Sequence, residues 1–284
     1  MTLTLRETGP DDVPALTELQ RRYDVAWFGA PEHDEDEVRE GLALSQANCV
    51  VDDGERLIGA GGRSGTESSL VVDPGADVDA ALGLLLPWLA EGGALETEVL
   101  DRDQRMRTAL EVAGWRHTRS IFELLRPVSP EWVLPEPQWP DGVELRPARV
   151  EDERRIHELV YVDAGWADVP GHNVREFDEW HNIFMADREK NAEPVLAWRG
   201  DRLAAIALGR IFSDGTGWVG QLAVARDERR RGLGRAVLLE ALRRRADEGA
   251  SQLGLGVVAA NRGALKLYLD VGLEVEREWM VYAP

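Results

Sequence analysis

Cysteine is almost absent. Cys49 is the only one in 284 residues, which excludes an internal disulfide and, with no Cys/His cluster, a thiolate zinc site. Such usage suits a reducing interior. Basic residues are also in deficit: lysine and arginine number 33 against 52 aspartates and glutamates, a net charge of −19. Repulsion from phosphate then argues against general nucleic-acid binding and against an anionic membrane surface. Long apolar runs are missing too. The longest, Ala80–Ala90, is interrupted by Gly83 and Pro87 and falls short of the ~20 residues that span a bilayer. The first residues carry Glu7 and Asp11 without an apolar stretch, so no signal peptide is expected and the default compartment is the cytoplasm. What remains, 44% hydrophobic and 30% charged residues, is the composition of a globular protein long enough for about two domains.

The chain repeats itself. Leu3-Thr4-Leu5-Arg6 leads through Asp11-Asp12 into a helical pattern at Val13, Leu16 and Leu19, and Val143-Glu144-Leu145-Arg146 leads through Glu151-Asp152 into Ile156, Leu159 and Val160. Each reads as a strand, an acidic helix start suited to the positive dipole end, and an amphipathic helix. Two pairs of apolar runs around a glycine turn, at Gly54 and Gly200, read as hairpins. Further on, Ala109–Trp115 with Ile121–Leu125 matches Leu267–Leu273 with Trp279–Tyr282. The offset grows from 140 at Leu5/Leu145 to 158 at Gly114/Gly272, so the second copy has gained 18 residues, expected in a loop. Chance similarity between two α/β halves is the alternative. Between the copies, Pro127–Pro140 holds five prolines in fourteen positions, an extended linker for which Trp132 and Trp139 are candidate anchors. The expected organisation is a domain at 1–127, a linker at 128–140 and a second domain at 141–284.

The most informative stretch runs from Trp218 to Leu239. An apolar strand ends near Val224, a basic loop with glycines follows, and Leu233, Val237 and Ala241 then recur at helical spacing. Glycines at 232 and 234 let backbone amides close around an anion, and the helix dipole adds about half a positive charge there. From Arg226 to Arg245 there are eight arginines and three acids, a local reversal of sign that points to an anionic ligand such as a pyrophosphate. Arg243–Arg245 alone are explained as a solvated helix end. The segment lacks the lysine and Ser/Thr of a P-loop and the third glycine of a dinucleotide fingerprint.

Arg229, Gly232 and Gly234, following Leu222-Ala223-Val224, run in the order arginine or glutamine, two residues, glycine, one residue, glycine or alanine. In this the segment resembles the GNAT superfamily of acyl-CoA-dependent N-acetyltransferases. Downstream, Leu253, Leu255 and Val257 alternate along a strand, and Asn261 opens a helix that carries Tyr268 and closes at Gly272. The resemblance implies an α/β (α+β) fold of two tandem GNAT-like domains, each a mixed, mostly antiparallel central sheet flanked by helices. The layout is similar to that of mycothiol synthase-like proteins. It also implies acetyl-CoA as cosubstrate, held by Leu222, Ala223, Val224, Arg229, Arg230, Arg231, Gly232, Leu233, Gly234, Arg235, Asn261 and Ala264, with no metal. From the residues alone Asn261 is most simply an N-cap, and Tyr268 has a core aromatic as its alternative. The resemblance adds that the asparagine touches the pantetheine or phosphate arm and that the tyrosine faces the sulfur.

In the first copy Leu110 stands where Tyr268 should be, Asp103 stands for Asn261, and Asp73, Asp77 and Asp79 occupy the place of the arginines. Carboxylates beside a pyrophosphate repel it, so this copy is expected to be degenerate. The implied reaction is direct attack of a primary amine, of a small molecule or peptide, on the thioester. A backbone amide at or next to Val224 would hold the oxyanion and Tyr268 would protonate the leaving thiolate. A general base has no clear owner: Trp218 and Gln221 lie where relatives carry a glutamate, and Asp163, Asp168, His172, Asp178, Glu179 and His181 follow the first helix of the second copy. The aromatics Tyr161, Trp166, Phe177, Trp180 and Phe184 suit either an acceptor pocket or core packing. A non-catalytic acyl-CoA sensor or interaction protein is the competing reading. Oligomeric state is not legible, although two modules in one chain can pack as an intramolecular pseudo-dimer.

Overall fold

The computed structural model describes residues 2–93, 96–166, 174–186 and 191–284, so Asp168 and His172 lie outside the described residues. In the first half come β1 (Thr4–Glu7), α1 (Val13–Phe28), α2 (Glu35–Leu44), β2 (Ala47–Asp52), β3 (Leu57–Ser64), β4 (Glu67–Val72), α3 (Val78–Glu91), β5 (Glu96–Leu100), α4 (Gln104–Val112) and β6 (Arg116–Pro127). The second half holds β7 (Val143–Arg146), α5 (Glu153–Glu158), α6 (Phe177–Phe184), β8 (Val195–Arg199), β9 (Arg202–Ile211), β10 (Thr216–Val224), α7 (Leu233–Asp247), β11 (Gln252–Val258), α8 (Arg262–Asp270) and β12 (Glu274–Ala283). A π-helical turn, Leu159–Asp163, continues α5. Among the described residues no helix is long and apolar enough to cross a membrane.

Contacts divide the chain into two compact units. One comprises Met1–Phe122, Val258–Ala260 and Arg277–Pro284, the other Glu123–Val257 and Asn261–Glu276. The last strand of each half therefore crosses from one unit to the other, β6 at Phe122/Glu123 and β12 at Glu276/Arg277. In the first unit β1, β2, β3 and β4 pair antiparallel in order, β4 runs parallel to β5, and β5 is antiparallel to β12 through Leu100↔Trp279 and Thr97↔Tyr282. In the second unit β7, β8, β9 and β10 are antiparallel neighbours and β10 runs parallel to β11. The same succession twice, with Leu5 and Leu145 on the matching strands and the Gly54 and Gly200 turns between matching hairpins, removes chance similarity as an explanation.

The first unit's core lies between the sheet and α3 and α4, where Val51, Val72, Leu85, Leu89, Leu110 and Tyr282 are buried. In the second unit Ile156, Leu159, Trp180, Leu196, Ile206 and Ala223 form a core between α5, the π-helical turn, α6 and the sheet. The proline-rich linker is free of helix and strand and is held by the second unit. The Trp132 indole donates to Val271 O at 3.3 Å and stacks under Arg126, while Arg243 donates to Leu134 O and pairs with Glu136 at 2.7 Å. A Cβ at Gly272 would lie 2.6 Å from the Trp132 ring nitrogen, so glycine is needed there for the approach as well as for its positive φ of 99°. The reading of Arg243–Arg245 as a solvated helix end is thereby corrected. Arg243 anchors the linker, Arg244 pairs with Glu240 at 2.8 Å, and Arg245 is buried beside Glu248.

Candidate active site

Parallel strands β10 and β11 pair only over Thr216–Val219 with Gln252–Leu255, whereas β10 stays paired with β9 as far as Val224↔Ala205. Past Val219 the two parallel strands therefore part. The β9–β10 register slips by one residue between Val219 and Gln221, a bulge at Gly220. Bulging resets which amides face the gap. The Ala225 amide donates to Ala204 O at 2.9 Å; by the two-residue alternation of an antiparallel pair, the amides of Ala223 and Gln221 also face β9. Those of Leu222 and Val224 face the opening, where no strand partner meets them. A pair of unsatisfied, preorganised donors is what a developing oxyanion requires.

The chain leaves β10 into the arginine loop and enters α7 through Gly232 (φ 86°). Arg230 (φ 60°) is the one non-glycine residue with positive φ among the described residues. Two left-handed residues turn successive amides inward, making an anion-binding concavity. No side chain caps α7, so the amides of Leu233, Gly234 and Arg235 are without intrahelical partners and carry the positive end of a 15-residue dipole. A Cβ at Gly234 would meet only Val224 Cγ2 at 3.4 Å and Leu267 Cδ2 at 3.9 Å. Arg230 and Arg235 make no ion pair among the described residues, and Arg231 reaches Glu228 at 3.4 Å while staying more than half exposed. Glu228 is buried and held by Arg199 at 3.0 Å, bracing the loop from below. The donor set fits a diphosphate: free amides, a helix start, and arginines at the rim.

Arg229 has a different task from the one its motif suggests. Its Nε donates to Val224 O at 3.1 Å and a terminal nitrogen donates to Ala164 O, tying the end of β10 to the end of the π-helical turn. Burial, and then the neighbouring Arg226, lower its pKa.

Asn261 caps α8, its side chain accepting from the Ala264 amide at 3.2 Å. Two turns on, Tyr268 is 7% exposed, and its hydroxyl makes no hydrogen bond among the described residues. The ring is enclosed while the oxygen itself keeps access to the surface. Desolvation pushes its pKa up to about 12, so the group holds its proton throughout the neutral range. Leu222, Val224, Gly234, Asn261, Ala264 and Tyr268 all belong to the second unit.

The acceptor-side wall consists of α5, the π-helical turn and α6. Gln221, buried on β10 one residue past the bulge, accepts from the Trp180 indole N–H at 2.9 Å and lies beside the Tyr161 phenol. His157 is hydrogen-bonded to Arg175 O at 2.8 Å and its ring lies 4.9 Å from that of Tyr161. Tyr161 and Trp180 are thus core, whereas Trp166, Phe177 and Phe184 are only partly buried. Of the base candidates, Glu179 pairs with Arg175, His181 lies 3.0 Å from Glu153, Asp178 is exposed and Asp163 lies among Arg154, Arg155, Arg199 and Arg202. The Gln221 lock, the bulge and the Arg229 brace went unread in the sequence; a glycine inside a strand, Gly220, was the one available signal.

The first unit fills the matching places with its own groups. Asp77 caps α3 by accepting from the Ala80 amide, and the buried Asp73 carboxylate accepts from the Gly75 amide at 2.8 Å and from Arg22 at 2.6 Å. Its β3–β4 register is continuous from Gly59↔Val72 to Ser64↔Glu67, without a bulge. Leu110 is core and Asp103 is a buried cap of α4.

Residues 152–273 match the family model described as acetyltransferase (GNAT) family. Mycothiol acetyltransferase of Kocuria rhizophila is 27% identical over 93% of this chain and 92% of its own length. The protein of the same name from Thermobispora bispora is 29% identical over 72% and 70%. Among solved structures, a GCN5-related N-acetyltransferase from Sphaerobacter thermophilus superposes with a TM-score of 0.76 at 22% identity, covering 99% of this chain and 95% of its own. A tandem GNAT protein from the clavulanic acid biosynthesis pathway gives a TM-score of 0.76 at 15% identity over 100% and 98%. These two likenesses show the fold.

Proposed function

We propose, on the premise that residues 152–273 belong to the GNAT acetyltransferase family and that the chain is an acyl-CoA-dependent acetyltransferase, that it moves the acetyl group of acetyl-CoA to a primary amine by direct attack at the second unit. The observation that carries this reading is the conjunction, in one unit, of an uncapped helix behind a left-handed loop, a parted pair of parallel strands and an unpartnered buried phenol.

The α7 amides with Arg230, Arg231 and Arg235 hold the diphosphate, Gly232 and Gly234 leave room for it, and Leu233 anchors the helix start beneath. Leu222, Ala223, Val224, Asn261 and Ala264 line the pantetheine. The amine nitrogen, once neutral, forms a bond to the thioester carbon. Charge gathers on the carbonyl oxygen, where the Leu222 and Val224 amides stabilise it. The C–S bond then breaks, the sulfur takes the Tyr268 proton, and the phenol is restored by the proton that the new amide nitrogen sheds. Products are the N-acetyl compound and CoA thiol. A raised phenol pKa keeps that proton available without ionising at neutral pH.

The acceptor is a small-molecule or peptide amine. Because the relatives carry the name mycothiol acetyltransferase, the desacetyl amine of mycothiol is the first acceptor to assay, followed by a library of amines. The first unit, with its cradle closed by Asp73 and Asp77, binds no CoA. Calorimetric titration with acetyl-CoA is expected to saturate at one equivalent per chain and to fail in Gly234→Glu. Saturation at two equivalents overturns the assignment of the first unit. Binding without acetyl transfer to any amine tried would favour an acyl-CoA sensor.

A further inference from the structure

Gln221 stands where the two sides of the second unit's cleft meet. Past Val219, β10 has a ladder on one side only, and a strand edge with one ladder is free to roll about its own axis. Such a roll would move the Leu222 amide off the line to any carbonyl in the gap. Gln221 is the residue immediately before that amide, and its side chain points to the opposite wall from those of Leu222 and Val224. There it is buried, its oxygen accepting from the Trp180 indole nitrogen of α6 at 2.9 Å, beside the Tyr161 phenol of the π-helical turn. Both aromatic residues are themselves buried. The bulge at Gly220 is what delivers Gln221 to this face, because one extra residue shifts the alternation of every side chain after it. Gly220 is tight as well: a Cβ there would lie 3.2 Å from Phe184 of α6.

The first unit supplies a contrast. When the two strands are matched at their ends, Val72 with Val224, the place of Gln221 is taken by Ser69, which is exposed, on a strand with no bulge. The copy whose anion cradle is filled by its own carboxylates also lacks the lock.

We infer that Gln221, with Trp180, is a positioning residue of the acetyl transfer: its buried hydrogen bond fixes the roll of β10 beyond the bulge and so aims the Leu222 amide at the thioester oxygen. This rests on the reading of the second unit as the acetyl-CoA site. It differs from that reading in assigning the aim to a side chain that touches neither substrate.

The test uses the full chain and acetyl-CoA labelled with ¹³C at the carbonyl, so that no acceptor is needed. In the wild type, the carbonyl stretch of the bound thioester is expected at lower frequency than in free acetyl-CoA, because hydrogen bonding weakens the C=O bond. Gln221→Leu removes the bond to Trp180. Its bound band is expected to return most of the way to the free position and to broaden, while the calorimetric Kd for acetyl-CoA changes less than about threefold, since the diphosphate contacts are elsewhere. Gln221→Glu can still accept from Trp180 and is expected to keep the wild-type band. Trp180→Phe, which removes the same bond from the other side and keeps an aromatic ring there, is expected to match Gln221→Leu. Wild-type-like bands in Gln221→Leu, or a loss of shift in Gln221→Glu equal to that in Gln221→Leu, overturn the inference. Should the wild type itself fail to bind acetyl-CoA, the reading of the site falls instead.

Discussion

Replacing Gly234 by alanine and by glutamate separates size from charge at the start of α7. Gly234 is the second residue of α7, and its φ is not in the left-handed region. A Cβ there finds two side-chain methyl groups at 3.4 and 3.9 Å, ordinary van der Waals distances. Alanine in a helix is about 1 kcal/mol more favourable than glycine, so Gly234→Ala is expected to leave the melting temperature unchanged or raise it by a few degrees. The new methyl group points at Val224 and Leu267, away from a diphosphate drawn onto the amides of Leu233, Gly234 and Arg235; the motif likewise takes alanine at this position. Affinity for acetyl-CoA should therefore stay within about threefold of the wild type, under ~0.7 kcal/mol. Gly234→Glu adds charge to bulk. One carboxylate ~5 Å from one phosphate charge, at an effective dielectric of ~20, costs about 3 kcal/mol, more than a hundredfold in Kd. Paired melting curves and calorimetric titrations of the two variants read both quantities. Wild-type affinity in Gly234→Glu would refute the placement of the diphosphate at this helix start, and a collapse of stability in Gly234→Ala would refute the account of the space around Gly234.

Tyr268→Phe is expected to lower kcat at least tenfold with acetyl-CoA affinity nearly unchanged. Because burial raises the phenol to about 12, the alkaline limb of kcat in the wild type should not fall on its account below about pH 10; the stability it lends is fully present below its ordinary value near 10 and is lost as pH rises through the folded value. Arg229→Ala should lower the melting temperature but leave the salt dependence of acetyl-CoA binding as in the wild type, since its guanidinium is engaged by Val224 and Ala164; Arg235→Ala should flatten that dependence with little change in stability. Asp77→Ala removes the α3 cap and is expected to cost about 1 kcal/mol in chemical denaturation, while the calorimetric stoichiometry stays at one.

Much of this protein lay open in its sequence because the signals are local. Helix and strand periods, the Gly54 and Gly200 turns and the acidic helix starts each depend on a few neighbouring residues, and their recurrence announced the doubled fold. The strand, loop and helix start around Arg229–Gly234 were legible for the same reason, since they lie within one short segment, and so was the helix that Asn261 caps and that carries Tyr268. What sequence could not convey is partner choice over distance. Gln221 meets Trp180 41 residues away and Arg229 meets Ala164 across 65, and no periodicity encodes such pairs. Arg229 carries the motif, yet its guanidinium satisfies two carbonyls, because the loop bends it back toward the π-helical turn instead of outward. Likewise nothing in the repeat foretold that β6 and β12 would each pass from one unit to the other. Local chemistry decided which elements form and where an anion can sit; only the packed sheet, through its bulge and its parted strands, decided which amides and side chains are turned toward that place.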